Sequence, residues 1–229
     1  MASDARKGKA YTKYARLIEI AAREGGGDPV KNAKLRGLID AAKAESVPNA
    51  NIDRAIKKGT GELKGDVMQE VTYEAYGPSG CAFIIEALTD NKNRTLSNVK
   101  LILSKTGGRF AESGSVLWMF NHAGVVTGTR PAEGPLPEAE ELELIELGAE
   151  DIALDGQGIR VQCAAAAWGA IRDALKKSGC TIDTAGLQYV PKQTAPVDAV
   201  TMDKVAAIID ALDEDDDVSE VHTNAELSA

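Results

Sequence analysis

The chain has 229 residues, 44% of them hydrophobic but only 4% aromatic, and a formal net charge of −9. That length can bury a good core yet exceeds the commonest domain size, so two or three domains are expected, and so few aromatics suit helices and α/β layers better than a β-sandwich. No apolar run is long enough to span a membrane and no charged-then-apolar leader is present, which predicts a cytoplasmic protein with no membrane partner.

Taken alone, the net charge argues against a nucleic-acid partner, but its distribution reverses that. Residues 1–66 hold 14 Lys and Arg against 9 Asp and Glu, residues 67–130 hold 6 against 5, and residues 131–229 hold 6 against 21. A basic head and an acidic tail end are predicted, the tail repelling phosphate and so turning the head toward it. Cys81, Cys163 and Cys180 lie far apart without CxxC spacing and read as small core residues in a reducing compartment. His122 and His222 are isolated, so no metal site or other cofactor is expected.

In chain order, residues 3–9 read as a frayed polar and basic lead. Tyr11, Tyr14, Leu17, Ile18, Ala21 and Ala22 form one apolar helical stripe, stopped by Gly25-Gly26-Gly27. No strand precedes that triplet and no Gly-Lys-Ser/Thr follows it, which makes it a loop and not a phosphate cradle. Asp28 as cap with Pro29 as first residue predicts a second helix bearing Leu35, Leu38, Ile39 and Ala42. Pro48 opens a third with Ile52, Ala55 and Ile56, closed by Gly59, and three short helices of this kind can share one core. Thr60 to Val67 reads as a linker.

Val71–Tyr76 is predicted as a strand, Gly77-Pro78-Ser79-Gly80 as a turn, Cys81–Thr89 as a second strand and Thr95–Thr106 as a helix with Asp90, Asn91 and Asn93 offering caps. Such a strand-to-helix junction can present backbone N–H groups to an anion, and Lys92 and Arg94 add cations there. Val116–Phe120 and Val125–Thr127 are expected as two strands around a hairpin at 121–124, with Trp118 at a domain interface or, as the rival reading, stacking on a base. The proline-rich stretch 128–137 marks a boundary. Beyond it an acidic helix (138–147), two strands around a Gly turn (151–163), a helix (164–178) and a strand (181–190) repeat the strand, turn, strand, helix order of the central module. Pro191 and Pro196 mark a second boundary, followed by a helix (203–212), the five-acid run Asp213–Asp217, read as a solvated turn, and a strand (218–223). One helix and one strand cannot make a core, so this tail is expected to fold back on the central module.

The predicted fold class is therefore α+β, with a basic all-helical domain (1–66), a discontinuous central domain (67–129 plus 197–229) and an acidic inserted domain (130–196), the latter two ferredoxin-like. No nucleophile beside a base, paired carboxylates or clustered metal ligands can be found, and no enzyme activity or small-molecule substrate is expected. The cations expected to neutralise phosphates are Lys7, Lys9, Lys13, Arg16, Lys31, Lys34, Arg36, Arg54, Lys57 and Lys58 in the head, with Lys92 and Arg94 extending the footprint. Tyr11 and Tyr14, the head's only aromatics, look like core, which weakens single-strand stacking and leaves a structured RNA or loosely bound DNA as the polymer.

GGGDP at 25–29, NIDRAIKKGTGE at 51–62, YEAYGPSG at 73–80, TDNKNRT at 89–95, GSVLWMF at 114–120 and the closing VHTNAEL together resemble the YebC/PmpR family, in family order over nearly the whole chain. That family includes bacterial "probable transcriptional regulatory proteins" and the mitochondrial translational activator of cytochrome c oxidase subunit one. The resemblance implies three domains with the third inserted into the second, and a non-enzymatic regulator of gene expression. It implies either DNA binding or, as the alternative, action on the ribosome through ribosomal RNA; a protein-interaction role for the acidic domain is the third reading. Members usually open on a Gly-His-Ser-Lys-Trp arm before the segment matched by Lys7-Gly8-Lys9; here no Trp precedes Trp118 and no His precedes His122, so the start is either truncated or has lost the arm.

Overall fold

The computed structural model describes residues 2–228, with side chains from residue 8 onward. The head is three helices: α1 (Ala2–Gly25), α2 (Ala33–Ala44) and α3 (Asn49–Gly59). Helix α1 takes in residues 3–9 instead of leaving them frayed, because Ala, Arg and Lys there are good helix formers and Gly8 alone does not stop them. Helix α2 starts four residues later than Asp28-Pro29 suggests. The Asp28 carboxylate is spent on the Val30 N–H (2.9 Å), and Asn32 becomes the cap, accepting from the Leu35 N–H (3.0 Å) while donating to the Ala21 carbonyl (2.8 Å). A buried Asn that ties two helices together outcompetes an exposed acid.

Ile18, Ala21 and Ala22 of α1 pack against Leu35 of α2 and Ile52 and Ala55 of α3, with Tyr11 and Tyr14 at the margin of this core. Gly59 is where the chain most needs a missing side chain: a β-carbon there would collide with the Glu19 carbonyl oxygen and crowd Ala22. The end of α3 can therefore approach the α1 backbone only as glycine. A second stripe of α1, Leu17 and Ile20, packs on Met68 and Leu88, so the one helix joins the head core to the central sheet.

The central strands and helix are β1 (Gln69–Tyr76), β2 (Ala82–Thr89), α4 (Lys92–Thr106) and β3 (Arg109–Ala111). Then come β4 (Phe120–Thr129), α5 (Glu138–Glu146), β5 (Ala149–Asp155), β6 (Gly158–Cys163), α6 (Trp168–Lys177) and β7 (Thr181–Pro191). The chain closes with β8 (Ala195–Val197), α7 (Ala199–Asp213), β9 (Val218–Thr223) and β10 (Ala225–Leu227). The tail does return: β9 pairs antiparallel with β2, completing a sheet of order β3-β1-β2-β9, and α7 packs against α4. Strand β2 is buried along almost its whole length, as a central strand with both faces covered must be.

Residues 117–129 depart from expectation. Leu117–Met119 is a single 3-10 turn and Phe120–Thr129 one continuous strand, which pairs with β6 and β7 in the order β5-β6-β4-β7. It thus belongs to the inserted module's sheet and not to the central one, and the compact unit it helps form runs from Leu117 to Ala195, not from 130. Gly124, read from sequence as a turn signal, lies inside the strand because a β-carbon there would press on the Cys163 sulfur (2.7 Å) and Trp168 (2.8 Å); it is a close-packing position. With β4 as its first strand the module runs βαββαβ, the ferredoxin-like order. The central module holds four strands and two helices too, in the order ββαβαβ.

Glu74 on β1 is buried, and its carboxylate accepts the N–H groups of Gly114 and Val116 (2.6 Å each), clamping the loop after β3. Glu74→Ala would leave two backbone donors without this acceptor and is expected to cost about 2–3 kcal/mol in urea unfolding, with Glu74→Gln recovering roughly half.

Candidate nucleic-acid interface

The cations singled out from sequence divide into two groups by what faces them. Along α1, Lys9 pairs with Asp213, Lys13 with Glu220, and Arg16 with Asp217 (3.3 Å), so one face of the helix is matched by the acids that end α7 and lie along β9. Arg16 also donates to the carbonyls of Leu88 (2.8 Å) and Asp216 (2.6 Å). Lys34 pairs with Glu24 (3.0 Å). Arg94 bridges Asp90 (2.9 Å) and Asp217 (2.8 Å). Lys7 lies outside the residues whose side chains are described.

Asp217 is the centre of this arrangement and is only 5% exposed. Besides the two guanidinium groups it accepts the hydroxyl of Thr95 (2.8 Å) and that of Thr89 (3.3 Å), both threonines being buried. Its own carbonyl accepts the Leu88 N–H (2.8 Å), while Asp215 is held by Asn98 (3.0 Å). The five-acid run is therefore structural in large part: it joins α1, the β2–α4 junction and the C-terminal strand through one buried carboxylate. Burial pushes the Asp217 carboxyl up, but the hydrogen bonds from Arg94 and Thr95 and the charges of Arg94 and Arg16 outweigh it, leaving the pKa below the ordinary carboxylate value. A carboxyl depressed in the folded state stabilises fully above its unfolded value, about 4, and that contribution fades as pH falls through the folded value. Thermal melts between pH 7 and pH 2 should accordingly show an acid limb that Asp217→Asn flattens, its stability lower at neutral pH but less dependent on pH below about 4.

In the second group, among the described residues, only Lys31 comes near a carboxylate. On α3, Arg54, Lys57 and Lys58 are all exposed and stand three and four residues apart, which places them on one helix face opposite the buried Ile52 and Ala55. Among the described residues none of the three has a carboxylate partner. Just before α2, Lys31 approaches Asp28 at 3.9 Å; on α2, Arg36 donates to the Pro29 and Val30 carbonyls at 3.3 and 3.5 Å, and Lys43 is exposed. Lys92 is exposed at the first turn of α4. Sequence reasoning did not separate the two groups because pairing across about 200 positions of chain leaves no local signal. Among the described residues no group of three His, Cys, Asp or Glu side chains is placed to hold a metal, and no helix is long and apolar enough to cross a membrane.

Comparison with known proteins decides the family. The model of the TACO1/YebC protein N-terminal domain matches residues 1–62, and that of the TACO1/YebC second and third domain matches residues 68–225. The chain belongs to the TACO1/YebC family. A "Probable transcriptional regulatory protein" of Moorella thermoacetica is 46% identical over 99% of this chain and 90% of its own length, and one of Pseudothermotoga lettingae is 42% identical over 99% and 89%. The crystal structure of a conserved hypothetical protein from Aquifex aeolicus superposes with a TM-score of 0.87 at 37% identity, covering 99% of this chain and 93% of that one. In this TACO1/YebC chain several of the motif residues hold the fold: Gly59 lets α3 meet α1, Thr89, Arg94 and Thr95 bind Asp217, and Asn224 accepts the Ala82 N–H (2.7 Å). Lys57 and Lys58, inside the head motif, face solvent instead.

Proposed function

We propose that this TACO1/YebC protein is a non-enzymatic regulator of gene expression that grips a structured nucleic acid by its phosphates through the outer face of α3. Arg54, Lys57 and Lys58 make the central contacts, with Lys31 just before α2, Arg36 and Lys43 on α2, and Lys92 as flanking cations. The observation that supports this reading is that Arg54, Lys57 and Lys58 stay exposed without carboxylate partners among the described residues, while Lys9, Lys13 and Arg16 of α1 are already paired with acids. Three cations on one helix face suit a row of phosphates; Lys57 and Lys58 also favour the helix dipole, but Arg54, a turn earlier, does not need it. Tyr11 and Tyr14 pack at the head core and offer no stacking platform, which favours duplex or folded nucleic acid over a single strand.

The relatives' name favours DNA and transcription as the setting. Phosphate contacts position a protein without naming the polymer, so ribosomal RNA remains the second reading. Crosslinking in growing cells, followed by sequencing of what is attached to the head, separates them: promoter DNA is the expected product, and ribosomal RNA would move the protein to translation. Recovery of neither, together with salt-independent binding of both polymers in vitro, would defeat the proposal.

A further inference from the structure

Helix α5 of the inserted module carries large apolar side chains on its outer face as well as its inner one. Leu144 faces the module's core, but Leu142 and Ile145 are 53% and 52% exposed and stand three residues apart on the outer face. Helical spacing sets Glu138 in line with Leu142 and places Glu141 and Glu146 on either side of the apolar pair. The helix carries five glutamates in nine residues and no Lys or Arg. Glu138, Glu140 and Glu141 suit the positive N-terminal end of the helix dipole; Glu143 and Glu146 sit in the half where a carboxylate is disfavoured. Glu143 is approached by Lys177 of α6 at 3.8 Å, whereas Glu138, Glu141 and Glu146 have no basic partner among the described residues. Next to α5 runs β5, the edge strand of its sheet, with Leu154 40% exposed and Glu150, Asp151 and Asp155 exposed along it.

We infer that this face of α5, together with the edge of β5, is a docking surface for a cationic amphipathic segment of another protein. Exposed leucine-type side chains give such a segment an apolar anchor, and the bordering carboxylates select one rich in Lys and Arg while repelling nucleic acid. The occupant is fixed by charge: an uncharged or acidic helix would leave at least three carboxylates crowded against it, and a polyanion would be repelled outright. The surface is independent of the α3 face, so the two functions can fail separately.

The test uses the full chain and a fluorescein-labelled helical peptide of Lys and Leu, its leucines at i, i+3, i+4 and i+7, with a companion in which every Leu is Ser. Fluorescence anisotropy should show the Leu peptide binding and the Ser companion at least about tenfold weaker. Leu142→Ser with Ile145→Ser should weaken the Leu peptide by about tenfold or more, and Glu141→Gln with Glu146→Gln by roughly threefold to tenfold with a flatter salt dependence. Both pairs are exposed, and unchanged circular dichroism would show that the fold persists. Lys57→Ala with Lys58→Ala should leave peptide binding untouched whatever it does to nucleic-acid binding. Equal binding of the two peptides, or wild-type affinity in the Leu142/Ile145 variant, would overturn the inference. So would sedimentation showing that the apolar pair instead joins two copies of this chain and that the peptide does not compete.

Discussion

Asp217→Ala should lower the stability of the unit formed by residues 1–116 and 196–229 by about 2–3 kcal/mol, seen as a melting temperature roughly 5–10 °C lower by circular dichroism. The value sits below the 3–5 kcal/mol typical of breaking a fully buried ion pair because Arg94 is about half exposed and regains water when its partner goes. Arg16, only 20% exposed, and the buried Thr89 and Thr95 hydroxyls recover less, and they account for most of the loss. Asp213→Ala, which removes only the exposed pair with Lys9, should change stability by less than about 0.5 kcal/mol. If both substitutions were equally mild, the buried carboxylate would not be the joint described above. The network joins segments distant in sequence, so Asp217→Ala should also raise amide exchange in β9 and around Arg16 in the middle of α1 together.

Replacing Arg54, Lys57 and Lys58 together by Ala should weaken binding to duplex nucleic acid by about 100-fold at low salt, taking roughly 1 kcal/mol for each phosphate no longer neutralised. The slope of log affinity against log salt should fall by about 2 to 3, since each neutralised phosphate releases close to one counterion from a duplex. Electrophoretic mobility shifts across a salt series measure both quantities. Stability should move by no more than about 0.5 kcal/mol per site, the three side chains being exposed and without carboxylate partners. Lys9→Ala with Lys13→Ala is the informative control: their charges are already matched by Asp213 and Glu220, so affinity should change by less than about threefold. If the control weakened binding as much as the α3 variant, the acids would be yielding those cations to the ligand, and the interface would lie on α1.

Periodicity reached the three head helices, the strand pairs at 69–89 and 149–163 and the helices that follow them, because an apolar face must be buried wherever the chain folds. The return of the tail was legible too, since α7 and β9 had no core of their own to make. Boundaries set by competition between neighbours were not: whether Asp28 or Asn32 caps α2 depends on which side chain reaches the Ala21 carbonyl, and Gly124 signals a turn until Cys163 and Trp168 come up against it.

Composition and order alone determined that this protein has a basic front and an acidic end, little aromatic material and a family-wide set of motifs. Which of the front's cations stay available was decided only by tertiary structure. A lysine's charge is a property of the residue, whereas its freedom to meet a phosphate depends on whether the fold has already set a carboxylate a few ångströms away. For Lys9, Lys13 and Arg16 it has, from acids some 200 residues distant, and for Lys57 and Lys58 it has not.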